Sequence, residues 1–169
     1  MSNPAVKTSA VKSSRVPKAV LLLVWRICAT GWTGAASLFV LITVQEILSA
    51  KFESIVLDQL VLIRFPLYYG FSLTVLGLAA VSSALYCVLV QRTWRWLTAA
   101  ALSATAFLVL TGDYLLVYSQ LVDMLTPLGS PRPHTFPFYH QLTETLNGIA
   151  LILNLAATIL VCLPLREDR

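Results

Sequence analysis

From Phe65 to Val90 the chain runs through 26 residues without a charged side chain. A helix apolar on every side belongs in the core of a large protein or in a bilayer. About 20 such residues cross the hydrocarbon. Three more stretches share the pattern: Ile27–Val44 holds 18 uncharged residues, Leu97–Gly112 holds 16, and Thr145–Leu165 holds 21. The whole chain is 57% hydrophobic and 12% charged, against roughly 25% charged for an ordinary soluble domain. The expected fold is therefore an all-α membrane protein, a four-helix transmembrane bundle with helices at about 20–45, 65–90, 95–119 and 139–163.

The flanks set domain organisation and orientation. Residues 1–18 carry Lys7, Lys12, Arg15 and Lys18 with no acid, which predicts a disordered basic tail. A signal peptide is the rival reading, but Arg26 interrupts its apolar run and no cleavage site follows. Residues 19–165 form the four-span domain, and 166–169 a short tail. Glu46–Arg64 is amphipathic and predicts a connector that lies on the surface or extends a helix. Pro66 is expected in the first turn of the second helix. Tyr68 and Tyr69 are expected at one interface and Trp94 and Trp96 at the other, and Gly31 with Ala35 as a close-packing pair. Eight Lys and Arg lie in the tails and the 91–96 loop; Lys51, Arg64 and Arg132 lie in the other two loops. The positive-inside rule then predicts both termini in the cytoplasm, in a plasma or bacterial inner membrane. Because the basic residues flank spans, the bilayer is the expected partner and nucleic acid is not. A second copy or another membrane protein is a further expected partner.

Several polar groups enter the spans. His140, Glu144, Asn147, Asn154 and Thr158 fall at i, i+4, i+7, i+14 and i+18, one stripe on a helix. In hydrocarbon that stripe must meet protein or water. The topology also brings Glu46, Arg64 and Asp113 to the same outer third. Ionisable groups at membrane depth are costly and are functional candidates. The candidate binding residues are accordingly His140, Glu144, Asn147, Asp113 and Arg64. Arg64 is expected to neutralise Asp113 or Glu144, and a short crevice lined by His140, Glu144 and Asn147 is expected to close at Leu151. Asn154 would bond below it to Thr33 or Ser37 of the first helix, or Ser103 or Thr105 of the third. The competing reading is a structural cap of ion pairs and hydrogen bonds.

His140 and Glu144 have the spacing of two metal ligands, with His134, Asp113 and Glu46 as candidate additions. Cys28, Cys87 and Cys162 share a depth at which thiols could hold a soft metal or simply fill space. No C-x-x-C motif, phosphate loop or nucleophile elbow is present. The expectation is a non-enzymatic protein with no cofactor that binds or passes a small solute or ion. The alternatives are a structural subunit of a membrane complex and a membrane metal or redox protein.

The stretch FYHQLTETLNGIALILNL resembles the last helix of the transmembrane protein 205-like family. The residues carrying the likeness are Phe138, His140, Thr143 and Asn147. Trp32 and Gly34 resemble that family's W-x-G element, with Ala35 where a second glycine stands, and RFPLYYG from Arg64 to Gly70 resembles its entry to the second helix. The resemblance covers about residues 20–163. It implies a four-span membrane protein without an established reaction, and Glu144 is not part of the pattern.

Overall fold

A computed structural model describes residues 15–164. It contains four long helices: α1 (Arg15–Ser49), α2 (Ser54–Leu89), α3 (Trp94–Leu125) and α4 (Phe136–Cys162). Each is long and apolar enough to cross a membrane. At about 1.5 Å per residue, even α4 reaches roughly 40 Å, beyond a hydrocarbon core of about 30 Å. Each helix packs mainly on its neighbours in sequence, and α4 closes the ring against α1. Leu67, Val88 and Leu116 are more than two-thirds exposed, at 71%, 80% and 72%. Such apolar surface would promote aggregation in water but suits acyl chains.

The helices outrun the charge-free runs. The expected connector at 46–64 is split: α1 continues to Ser49, a turn follows with Ala50 at φ 49°, and α2 begins at Ser54. Pro66 thus lies well inside α2, where its missing N–H leaves the carbonyl of Leu62 without its usual donor. α3 runs to Leu125, which shortens the proline-rich loop to 126–135. Of the expected 1–18 tail, Arg15–Lys18 is helical. Residues 1–14 and the 166–169 tail lie outside the described residues.

Two layers of core hold the bundle. Nearer the chain termini, Trp25 packs against Tyr86 and Trp96 with ring centroids 6.2 and 5.9 Å away, over Ala29, Ala79 and Ala99. Trp96 therefore belongs to the core, and Trp94 alone of the pair is exposed. The Trp25 indole donates to Ser103 Oγ at 3.1 Å. Arg95 Nε donates to the Leu160 carbonyl at 2.8 Å and Arg26 Nη2 to Val161 at 2.9 Å. Arg26 thus turns inward, and both arginines satisfy carbonyls that the end of α4 leaves open. The second layer holds Trp32, Ala36, Tyr69, Leu76, Leu110, Tyr118 and Ala150. With Trp25, Ala29, Trp32 and Ala36 on its buried face, α1 turns Gly31 outward, and a side chain there would meet nothing within 4 Å. The small residues admitting close approach are Ala29 and Ala36, not Gly31 and Ala35.

Candidate functional site

Asp113 is completely buried. It opens a six-residue π-helical segment, Asp113–Tyr118, inside α3. One extra residue per turn there shifts the register of everything beyond it, and such bulges recur at functional sites. The result is a converging set of side chains from three helices. Asp113 Oδ2 accepts from Tyr69 Oη of α2 at 2.6 Å, and from Thr143 Oγ1 and Asn147 Nδ2 of α4 at 2.9 and 2.6 Å. Asn147 Nδ2 also lies 3.0 Å from the Thr143 carbonyl, and its Oδ1 accepts from Tyr68 Oη at 3.1 Å.

The carboxylate has no basic partner: among the described residues, no Lys, Arg or His forms an ion pair with it. Three donors meet one oxygen while the other, Oδ1, is buried without a hydrogen bond. Ser72 Oγ, Tyr118 Oη and Trp32 Nε1 in the same half of the bundle are likewise buried and unpartnered. Native interiors leave few such groups, and each costs about 1–3 kcal/mol. Aromatic rings crowd the α2–α3 side. Tyr69 lies 5.1 Å from Tyr114 and 4.8 Å from Tyr118, and Phe65 stacks on Tyr118 at 5.9 Å.

Of the five candidate residues, the fold unites two, Asp113 and Asn147. Arg64 pairs through both terminal nitrogens with Glu46, not with Asp113 or Glu144. The extra length of α1 and α2 explains this: both residues sit inside helices and face each other across the α1–α2 seam. His140 and Glu144 are exposed, 3.5 Å from one another, and do not join the cluster. The buried line of α4 is Thr143, Ala150, Asn154, Ala157 and Val161. At about 100° per residue, that line is turned roughly 70° from His140, so Asn147 and Asn154 fall on the inner edge of the expected stripe and His140 and Glu144 outside it. The expected crevice is therefore not formed by these residues. A surface recess of about 590 Å³ borders His140, but its other walls are Arg132, Pro133, His134, Phe136 and Pro137.

Deeper in the bundle Asn154 is wholly buried, with Nδ2 donating to the Ala29 carbonyl at 2.8 Å and Thr33 Oγ1 at 2.9 Å. Thr33 is among the partners expected for it, whereas Ser103 is taken by Trp25. The contributors that sequence reasoning missed are Tyr69 and Thr143. Tyr69 is read from sequence as an interfacial anchor. Thr143, one turn before Asn147, is signalled by the family-like pattern alone. Cys28 is half-buried, Cys87 is buried and Cys162 is exposed. Among the described residues no three His, Cys, Asp or Glu side chains gather as a metal site would need.

These features define a class: a bundle of four helices, each long and apolar enough to cross a membrane, with a buried carboxylate in one half that has no basic partner among the described residues. No protein-family model, curated protein or solved structure matches the chain.

Proposed function

We propose that this protein acts by binding, not by catalysis, and that the cluster of Asp113, Tyr69, Thr143 and Asn147 binds a small solute or ion from the outer side of the membrane. The observation that carries this reading is Asp113 itself, fully buried with one oxygen triply bonded and the other unengaged. A structural cap would be expected to spend such a carboxylate on a cation, as the half-buried Glu46 does on Arg64. The lower polar groups fit packing better, since Asn154 ties α4 to α1 through protein bonds. The resemblance to the transmembrane protein 205-like family is consistent with a binding protein in the bilayer, alone or with a second copy or another membrane protein.

Ligand-dependent stability tests the reading. A ligand at 100 times its Kd adds about 2.7 kcal/mol to the folded state. The melting temperature of purified protein, scanned across pH and simple salts, should rise with the bound species in wild type and not in Asp113→Asn. Identical responses of the two proteins would refute it.

Both termini are proposed to be cytoplasmic, on the strength of the basic residues in the tails and the 91–96 loop. Cysteines placed at 50–53 and 126–135 should react with an impermeant thiol reagent from outside, and one at Thr93 should not. Reversed labelling would move the Asp113 cluster to the cytoplasmic half.

A further inference from the structure

We propose that the ion held at this site is the proton, exchanged at Asp113 Oδ1. The inference rests on the binding reading above and names its ligand. A carboxylate removed from water is costly to keep ionised, and a positive charge or a proton at it relieves that cost. Three classes of cation could serve, and the geometry separates them.

An organic cation needs a cavity beside the carboxylate. Asp113 and Tyr69 are fully buried, and the adjoining Tyr114 and Tyr118 rings lie 5.1 and 4.8 Å from Tyr69. A hard metal cation such as Ca2+ or Mg2+ needs about six oxygen ligands at roughly 2.0–2.6 Å, and no three His, Cys, Asp or Glu side chains gather among the described residues for a softer one. Here the neighbours are engaged elsewhere: Tyr69 Oη, Thr143 Oγ1 and Asn147 Nδ2 all direct hydrogens at Oδ2, and Asn147 Oδ1 is occupied by Tyr68. A proton needs one lone pair, and Oδ1 keeps its lone pairs free in a buried position.

The step balances simply. Hydronium reaching Oδ1 transfers a proton, an O–H bond forms, one O–H bond of hydronium breaks, and water leaves. The ionised form is held by the three donors on Oδ2, and the neutral form carries no charge to desolvate, so both states have a physical basis in one site. The titratable groups facing Asp113 are few. α2 presents Tyr69, with Tyr68 one hydrogen bond further through Asn147. α3 adds Tyr114 and Tyr118 beside Tyr69. α4 presents Thr143 and Asn147, which do not titrate, while its His140 and Glu144 lie exposed. α1 contributes Glu46, already paired with Arg64. The half-buried Tyr68–Asn147 bond is the rim through which water would exchange.

Infrared spectra of the full chain in lipid nanodiscs, titrated from mildly acidic to mildly alkaline pH, read this directly. Wild type should show a protonated-carboxyl stretch that disappears as pH rises and is absent from Asp113→Asn. Tyr69→Phe guards against a misfolded Asp113 variant. It removes one of three donors to the ionised carboxylate, so its band should persist to a pH about one unit more alkaline. A carboxyl that stays ionised, or stays protonated, throughout the range overturns the proposal. If no such band titrates but sodium or potassium chloride at fixed pH raises the melting temperature of wild type and not of Asp113→Asn, the proton is wrong and the ion site stands. If neither pH nor salt distinguishes the two proteins, both readings fall.

Discussion

Trp25→Ala is expected to destabilise the bundle by about 3 kcal/mol, with no change in any response that depends on Asp113. Helices in lipid gain little from hydrophobic transfer, because acyl chains are as apolar as leucine. Their association rests on packing and on hydrogen bonds between helices. Trp25 supplies both: it is fully buried, it touches Tyr86 and Trp96, and its indole N–H is bonded to Ser103 of α3. Truncation leaves a cavity on the order of 100 Å³ or more at about 24 cal/mol per Å³, and strands the Ser103 hydroxyl. Adding Ser103→Ala should recover roughly 1 kcal/mol by removing the stranded group. Reversible unfolding in mixed micelles measures both. A loss below about 1 kcal/mol would mean that this aromatic layer does not hold the bundle together.

The spans were legible because the bilayer imposes a requirement on every residue within it. A charge in the hydrocarbon is costly, so charge-free runs such as Phe65–Val90 declare themselves. Rotation about the helix axis is a different matter. In lipid the outward and inward faces of a helix are both apolar, so hydropathy does not orient α4, and only its scattered polar residues can. Those residues spread across nearly a quarter of a turn, and the stripe centred on His140 missed the buried line through Thr143 and Ala150. Asp113 and Asn147 were found because burial of polar groups is itself the signal. Tyr69 was hidden by its likeness to an interfacial tyrosine. The pairing of Arg64 with Glu46 depends on how far α1 and α2 extend past their apolar runs. The π-helical segment DYLLVY carries no proline, glycine or other local mark of its widened turn, so the convergence of Asp113 on α4 could be seen only in three dimensions.

Asn147 offers the sharpest measure of how the carboxylate is held. Asn147→Leu keeps the side-chain size and removes the 2.6 Å donor to Asp113, while the Tyr68 hydroxyl loses its acceptor. A hydrogen bond to a charged group contributes about 1.5–3 kcal/mol, and a stranded hydroxyl adds to the loss, so a cost of about 3 kcal/mol is expected. Asp113→Leu alone takes the shared acceptor from Tyr69, Thr143 and Asn147 at once, and should cost at least as much. Together the two changes leave fewer orphans than the singles imply, because an apolar pair replaces a polar one. The double variant should therefore be about 2 kcal/mol more stable than the sum of the single losses predicts. That coupling reports the hydrogen bond whether the cluster is structural or functional. The carboxyl stretch separates the two: in Asn147→Leu it should survive to a more alkaline pH than in wild type, since the ionised form has lost a donor. Strict additivity with an unmoved band would show that Asn147 does not hold the Asp113 carboxylate.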